Sequence, residues 1–312
     1  MLISIIIVNW NAGHQIMDCL QSIKFTKQDG LKDFEIIIID NGSTDKSLEF
    51  VDQLNFPVHI IKNKLNLGFS VACNQGAKVS TGDYLLFLNP DTIFFDNSLS
   101  IPFNYMERKD NQNVGIVGIQ LLDEFNQISK SCARFPSPSL LMAQILGVNY
   151  LPGFGHLNTH MSNWAHDKTE TVDHVIGAFY LIRRPLFETL GGFDERFFVY
   201  LEDLDLSLRA LQEGYRSVYL TEAQAFHAGG GTSNQVKARR LFYSLRSRLL
   251  YAFKHFTILG AIAVLLATLF VEPLTRSVLA LLRRSWSGLT ETWNAYGMLW
   301  CDIGAIFKSR RL

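Results

Sequence analysis

The sequence predicts an α/β fold with a mostly parallel, Rossmann-like sheet flanked by helices, followed by a helical C-terminal tail. Three observations predict it. Apolar runs of strand length alternate with helically spaced segments through residue 90, which is the βαβ pattern. The runs are continuous rather than alternating, as in strands covered on both faces. Each run is cut off by Asn, Asp, Gly or Pro, the residues that break strands and start turns.

Ile3-Ser4-Ile5-Ile6-Ile7-Val8 is a β-branched run of the buried-strand type, and it stops at the turn Asn9-Trp10-Asn11-Ala12-Gly13. From about residue 15 to 25, Ile16, Cys19, Leu20 and Ile23 recur on one helical face. Residues 34–39 form a second strand, ended by Asp40-Asn41-Gly42-Ser43-Thr44-Asp45. Asn-Gly followed by Ser-Thr-Asp predicts a turn and then a helix to about residue 54. A third strand is expected at 58–62, and Asn66-Leu67-Gly68-Phe69-Ser70 opens a helix to about residue 79.

Thr81-Gly82-Asp83 leads into Tyr84-Leu85-Leu86-Phe87-Leu88, which Asn89-Pro90-Asp91 terminates. Proline has no N–H for a sheet ladder and fixes its own φ, so the strand must end there. Asp91 is thereby expected just past the carboxyl end of a central strand, the edge at which open α/β sheets bind ligands. The plainer alternative is that it caps the next turn.

A helix is expected at 98–109 and a strand at 114–120. Residues 121–172 contain Pro136, Pro138 and Pro152 with Gly147, Gly153 and Gly155, and predict an irregular connection. Such a segment is either a substrate cover or a surface insertion. Residues 175–182 form a strand, Arg184-Pro185 starts a short helix with proline at its first position, and Gly191-Gly192-Phe193-Asp194 is a turn. In the next helix Leu204, Leu208 and Leu211 share a face, and Gly214 supplies the stop. Residues 217–220 are a short last strand, followed by Ala225-Phe226-His227-Ala228 and three glycines.

That helix opens on Glu202, Asp203 and Asp205. Acids are favourable in a first helical turn by roughly 0.3–1 kcal/mol each, and Asp205 with Arg209 is an i,i+4 pair. This accounts for Asp205. Glu202-Asp203 follow an aromatic, apolar run, which suggests a carboxylate in a partly dry pocket with its pKa raised toward that of a useful base. His227 beside glycines is either structural or placed where backbone passes close to a phosphate.

Composition narrows the classes. The chain has 312 residues, 48% of them hydrophobic, and no formal net charge. Residues 1–235 hold 17 Lys+Arg against 26 Asp+Glu, a net of −9, while residues 236–312 hold 12 against 3, a net of +9. A nucleic-acid binder would carry its basic surface on the folded body, so no nucleic-acid partner is expected. Cys19, Cys73, Cys132 and Cys301 form no CxxC pair and read as reduced thiols of a cytoplasmic protein. The apolar N-terminus lacks a basic flank and a cleavage site, and reads as a first strand rather than a signal peptide.

The ordered set Ile7-Val8-Asn9-Trp10-Asn11, Asp40-Asn41-Gly42-Ser43-Thr44-Asp45, Asn66-Leu67-Gly68-Phe69 with Asn74-Gln75-Gly76, Asn89-Pro90-Asp91, Gly177-Ala178-Phe179, Gly192-Phe193-Asp194-Glu195, Glu202-Asp203-Leu204-Asp205-Leu206 with Arg209, and His227 resembles the inverting family-2 glycosyltransferases of GT-A type, near their rhamnosyltransferase-like members. The resemblance spans residues 3 to about 232. It implies that Asp40 hydrogen-bonds the nucleotide base and that Asn9 and Asn11 line the nucleotide pocket. It further implies that Gly68 and Asn74 shape the donor wall, and that Gly177, Ala178 and Phe179 lie on the acceptor side. Asp91 matches the metal-holding aspartate of a D-x-D motif in which Asn89 replaces the first acid. Asp203 resembles the general base with Glu202 as runner-up, and His227 resembles a histidine completing the metal or diphosphate site.

The implied reaction is a single displacement at an anomeric carbon. One carboxylate takes the acceptor proton, and Mg²⁺ or Mn²⁺ offsets charge on the leaving nucleoside diphosphate. The implied partners are a nucleotide-diphosphate sugar, by resemblance dTDP-L-rhamnose, and a glycan or lipid-linked glycan acceptor of surface polysaccharide synthesis. A non-catalytic nucleotide-sugar binder or membrane scaffold on the same fold is the alternative. A nicotinamide oxidoreductase would need G-x-G-x-x-G after the first strand, and Asn9-Trp10-Asn11-Ala12-Gly13 does not supply it.

Two domains are expected, a catalytic one over 1–235 and a basic, apolar helical one over 236–312. Lys237 to His255 reads as a basic amphipathic helix with Arg239, Arg240, Arg246, Arg248 and Lys254. Residues 256–271 carry no charge, fall short of the ~20 residues of a membrane span, and are expected to end at Glu272-Pro273. Interfacial attachment to the inner face of the cell membrane is the favoured reading, with Arg283, Arg284, Lys308, Arg310 and Arg311 adding charge for anionic lipid. A core helix pair or a homodimer contact is the alternative.

Overall fold

The structure, a computed structural model, describes residues 2–29, 33–49, 51–54, 57–229 and 237–308. In chain order its elements are β1 (Ile3–Asn9), α1 (Gln15–Phe25), β2 (Phe34–Asn41), β3 (Val58–Asn63), α2 (Phe69–Val79), β4 (Tyr84–Leu88), β5 (Thr92–Phe94), α3 (Ser100–Glu107) and β6 (Val114–Leu122). Then follow β7 (Cys132–Ala133), α4 (Pro138–Ile145), β8 (Glu170–Val172), β9 (His174–Val175), β10 (Phe179–Arg183), α5 (Arg184–Thr189), α6 (Glu202–Gln212) and β11 (Arg216–His227). The chain closes with α7 (Lys237–His255), α8 (Ile258–Leu266), α9 (Glu272–Leu282) and α10 (Trp286–Lys308). Gly230, Gly231, Thr232, Arg310 and Arg311 lie outside the described residues.

Two compact units result. One comprises residues 1–134, 164–195 and 202–232, and the other residues 135–163, 196–201 and 233–312. Compared with the expected boundary near 235, the second unit also gathers two segments from earlier in the chain.

The first unit is built on a sheet of order β3-β2-β1-β4-β10-β6-β11-β5, with β8 pairing β11. β1 pairs in parallel with β2 and β4, and β2 in parallel with β3. β10 enters antiparallel between β4 and β6, while β6 and β11 are again parallel. Every residue of β1 is buried, as a run of Ile and Val covered on both faces requires. Ile3, Ile5 and Ile7 join Ile16, Cys19, Leu20 and Ile23 of α1 in one core. Each such side chain contributes about 1.5–3 kcal/mol on burial. On the other face Gly76 of α2 lies so near Ile6 that a Cβ there would sit 2.5 Å from its Cγ2.

Several elements differ from the sequence expectation. Among the described residues after Asp45 there is a 3₁₀ turn, Val51–Leu54, in place of the expected α-helix. Asp45 uses Oδ2 on the Gly13 N–H at 2.9 Å and Oδ1 on Ser47 Oγ at 2.6 Å, so its side chain competes with helix formation and ties two loops. Within residues 121–172 the structure holds β7, α4 and β8, elements too short to give a periodic signal. The strand expected over 175–182 is two pieces, β9 and β10, interrupted at Gly177-Ala178. The last strand runs from Arg216 to His227 rather than over four residues, with a register shift between Leu220 and Gln224 that the sequence does not announce.

The second unit is helical. Arg246 of α7 donates to Asp302 of α10 at 2.7 Å. Glu272, buried at the start of α9, accepts from Arg248 of α7 and from Arg276 Nη2 at 2.8 Å. Arg246 and Arg248, expected to face lipid, therefore serve ion pairs inside the unit. Glu272-Pro273 does not end the helix. A π-turn, Ala267–Val271, joins α8 to α9, and Pro273 falls in the first turn of α9, where its missing N–H costs little. Ile258–Leu282 is consequently 25 residues, long and apolar enough by length and composition to cross a membrane.

Glu272→Gln leaves two arginines facing a neutral group in a buried site. It is expected to destabilise the helical unit by about 3–5 kcal/mol, read as a lower urea midpoint of that unit's unfolding transition.

Candidate active site

Register brings the strand stops to one sheet edge. Asn9 is aligned with Asp40, Ile7 with Leu88, and Leu88 with Phe179. Because β10 is antiparallel, its beginning lies where the neighbouring parallel strands end. Asn9, Asp40, Asn89 and Phe179 thus share the edge where an α/β sheet binds ligands.

At the β1–β2 end the amide of Asn9 is buried. Its Nδ2 lies 3.0 Å from Asp40 Oδ1, 3.0 Å from Ser43 Oγ and 2.8 Å from Ser47 Oγ. Its Oδ1 is buried with no hydrogen-bond partner among the described residues, an arrangement that normally awaits a donor. Asn11, at φ 51°, accepts from the backbone N–H groups of Thr44 at 2.7 Å and Asp45 at 3.2 Å, so it shapes the turn. Gly68, at φ 92°, precedes α2, and its carbonyl accepts from Asn41 Nδ2 at 3.1 Å. Asn74 turns to the Gly192–Glu195 loop: Oδ1 accepts from Phe193 N–H at 3.0 Å, and Nδ2 donates to Phe193 O at 2.9 Å and Glu195 Oε1 at 3.0 Å. Arg209, paired with Asp205 at 2.8 Å, holds the same loop through Gly192 O at 2.9 Å.

At the β4 end Asn89 N–H donates to Ala178 O at 3.0 Å. Asp91, buried, has Oδ1 3.3 Å from His227 Nε2, and Asn89 Nδ2 lies 3.4 Å from the same nitrogen. Among the described residues no cluster of three His, Cys, Asp or Glu is placed to hold a metal. Asp91 and His227 lie side by side at the sheet edge and would together offer an oxygen and a nitrogen ligand to a divalent cation whose other ligands come from elsewhere.

Asp203 is reached from the β10 side. Oδ2 accepts from Gly177 N–H at 2.7 Å and lies 3.5 Å from His174 Nε2, while Oδ1 accepts from Leu204 N–H at 2.8 Å. A Cβ on Gly177 would sit 3.0 Å from that Oδ2, a crowded contact that glycine avoids. The side chain of Asp203 is 18% exposed, open enough to meet a substrate. Gly177 continues into Ala178, which receives Asn89, so two backbone links join the Asp203 site to the Asp91 site.

The two adjacent acids diverge. Burial holds Glu202 well above the usual carboxylate range, and the charges of Asp203 and Asp205 push the same way. Burial would raise Asp203 too. The charge and hydrogen bond of His174 and the N–H groups of Gly177 and Leu204 outweigh it, and the carboxyl lies below its ordinary value. The expected raised base thus appears only at Glu202, whose Oε2 is buried without a partner among the described residues. Asp203 is the ionised, accessible member.

The sequence model described as "Glycosyl transferase family 2" matches residues 4–191, and that described as "Glycosyl transferase family group 2" matches residues 155–307. The chain belongs to glycosyl transferase family 2. This family-2 glycosyltransferase is 24% identical over 241 residues to the N-acetylglucosaminyl-diphospho-decaprenol L-rhamnosyltransferase of Mycobacterium tuberculosis (strain ATCC 25618 / H37Rv), covering 72% of this chain and 76% of that one. It is 29% identical over 175 residues to rhamnosyltransferase WbbL of Escherichia coli (strain K12), covering 54% and 61% respectively. Its fold is similar to the mannosyltransferase PcManGT from Pyrobaculum calidifontis in complex with GDP-Man and Mn²⁺, with TM-score 0.58, 18% identity, and 96% of this chain and 87% of that one covered. It is similar as well to S. aureus TarS 1–349 in complex with UDP-GlcNAc, with TM-score 0.55, 17% identity, and coverage of 96% and 80%. The GT-A type fold and a transferase activity follow.

Sequence reasoning missed His174, Ser207 and the serines around Asn9. The spacing of Asp203 and Ser207, four apart on one helical face, was the available signal for a second polar layer in the glycosyltransferase.

The Glu202 site has a stability signature. Below pH 4.5, the ordinary glutamate value, both folded and unfolded chains hold its proton. As pH rises the unfolded chain releases it first, so stability falls by up to about 1.4 kcal/mol per pH unit until the folded site ionises. Glu202→Gln is expected to remove this component between pH 5 and 7, measured by urea midpoints across that range.

Proposed function

We propose that the chain is an inverting rhamnosyltransferase that moves L-rhamnose from dTDP-L-rhamnose to a lipid-linked or glycan acceptor in surface polysaccharide synthesis. The observation that carries the reading is Asp203, ionised and partly exposed, on the same sheet edge as the Asp91–His227 pair. The names of the two rhamnosyltransferase relatives supply the sugar.

Asp40 is the acceptor for an N–H group of the nucleotide base, and buried Asn9 behind it holds the carboxylate through Nδ2 at 3.0 Å. Gly68 lets the wall beside the donor bend sharply, and Asn74 fixes the loop that borders it. Asp91 and His227 would hold the divalent cation, Mg²⁺ or Mn²⁺, beside the donor diphosphate. When bound there, the cation offsets charge on the departing nucleoside diphosphate. Gly177 borders the acceptor side and helps place the hydroxyl against Asp203, whereas Ala178 and Phe179, expected there too, are buried in the core behind it. Asp203 takes the hydroxyl proton as the new C–O bond forms on the face opposite the leaving group, which inverts the anomeric centre. Because its carboxyl sits low, proton transfer falls late, once bond formation has made the hydroxyl acidic.

The acceptor is met at a membrane. Along the helix from Ile258 to Leu282, Leu259, Ile262, Leu266, Phe270, Leu274, Val278 and Leu281 are exposed, Phe270 by 63%, and follow one another three or four residues apart. The opposite face is buried and carries Glu272 with its arginines. A helix sealed on one side in this way lies in the interface plane rather than across the bilayer. Exposed Arg283 and Arg284 at its end suit anionic headgroups on the cytoplasmic side.

Asp203→Asn is expected to lower kcat by about 10²–10⁴-fold while donor binding by calorimetry stays near wild type. Asp91→Ala should weaken donor binding only when divalent ion is present, and equal wild-type affinities with and without chelator would remove the metal role. Replacing Leu266 and Phe270 with Glu is expected to abolish sedimentation with anionic phospholipid vesicles. Unchanged sedimentation, or a shift from dimer to monomer without vesicles, would assign that face elsewhere.

A further inference from the structure

Behind Asp203 lies a buried polar chain that neither the family match nor the reaction requires. His174 Nδ1 is 3.1 Å from Ser207 Oγ. Ser207 Oγ is 2.9 Å from Tyr180 Oη and 3.0 Å from the Asp203 carbonyl. Tyr180 Oη is also 3.3 Å from that carbonyl. Tyr180, Ser207 and His174 are all buried. They come from β10, α6 and β9, so three separate elements converge on Asp203, His174 on its carboxylate and the two hydroxyls on its main-chain carbonyl.

Proton accounting fixes the direction of the chain. If Ser207 donates to His174 Nδ1, the neutral ring carries its proton on Nε2, facing Asp203. If Ser207 instead donates to the Asp203 carbonyl, Nδ1 must be the donor to Ser207. A neutral ring would then set a bare Nε2 against a carboxylate oxygen, so the ring is charged and Nε2 again bears a proton. Either way an N–H is aimed at Oδ2. Tyr180 remains a donor at the head of the chain, because burial pushes its hydroxyl up.

A carboxylate offers about four acceptor positions, two per oxygen. At Oδ2 one position is taken by Gly177 N–H at 2.7 Å, and His174 Nε2, 3.5 Å away as an ion-pair contact, stands over the other. Oδ1 uses one, on Leu204 N–H at 2.8 Å. We propose that His174, ordered by Ser207 and Tyr180, is a positioning residue that saturates Oδ2 of Asp203 and thereby makes Oδ1 the atom that receives the acceptor's proton. The inference rests on the reading of Asp203 as general base. The other ionisable groups around the site are Glu202, Asp205 and Arg209 on α6 and Cys73 on α2. Arg209 is tied to Asp205, and burial and the acids Glu202 and Asp203 push the Cys73 thiol up.

The test compares pH profiles of kcat/KM, from pH 5 to 8, for wild type, Asp203→Asn, His174→Leu, His174→Gln and Tyr180→Phe, with donor affinity measured on each protein. His174→Leu is expected to move the acidic limb up by about one pH unit or more and to lower kcat with donor KM unchanged. His174→Gln, which keeps a donor, should restore part of the shift, and Tyr180→Phe should move the limb the same way by less. Profiles of His174→Leu and Tyr180→Phe superimposable on wild type, with Asp203→Asn inactive, would overturn the positioning role. Should His174→Leu not fold, His174→Gln and Tyr180→Phe decide alone: wild-type limbs in both overturn it. Full activity in Asp203→Asn would instead overturn the base assignment on which it rests.

Discussion

β10 runs against its neighbours, and the site depends on that reversal. β1, β2 and β4 all deliver their carboxyl ends to one edge, which by itself makes a nucleotide-sized ledge but brings no group from the second half of the chain. An antiparallel strand beside β4 starts where β4 stops, so Gly177 and Ala178 arrive next to Asn89. The ladder closes with Asn89 N–H on Ala178 O at 3.0 Å, and the next amide, Gly177 N–H, reaches Asp203 at 2.7 Å. Residues more than a hundred positions apart are thus spaced by backbone hydrogen bonds, which are far less tolerant of drift than long side chains are.

Much of this was legible in the sequence because it rests on local rules. Unbroken Ile and Val runs forecast strands covered on both faces, and the proline after Asn89 forced a strand end where a ligand edge was expected. Asp205 with Arg209 was readable as a helical pair and is one, at 2.8 Å. The failures share a cause as well. The helix expected after Asp45 is lost to side-chain bonds with Gly13 and Ser47, a competition that local propensity does not weigh. The helix end expected at Glu272-Pro273 is overridden by a π-turn and by the pairing of Glu272 with Arg248 of α7, a tertiary effect. His174 was invisible because a lone histidine in an apolar stretch carries no periodic signal, and its meaning comes from Ser207, thirty-three positions away.

Glu202 and Asp203 show how one peptide bond can separate two chemistries. Both sit at the head of α6, and both lose water. Asp203 recovers that loss from three N–H groups and so keeps its charge. Glu202 has its own backbone N–H but an Oε2 without a partner among the described residues, and burial together with its neighbour's charge holds its carboxyl well above the usual range. Two negative charges side by side in a dry site would be costly. Ionisation of one therefore enforces neutrality of the other, and the position of the amides selects which. Pairs pushed apart in this manner are how a site assigns roles to identical functional groups.

The selection also explains why a glycine stands at 177. Any side chain there would meet Asp203 Oδ2 at about 3.0 Å, and the shortest of the three N–H contacts would lengthen. With that donor withdrawn, Asp203 would keep His174 and the Leu204 N–H but lose one of the contacts that hold its carboxyl low. The absence of a methyl group beside β10 thus bears on the proton affinity of Asp203. That dependence runs from backbone packing to proton affinity without passing through any substrate, and so it is already present in the folded chain.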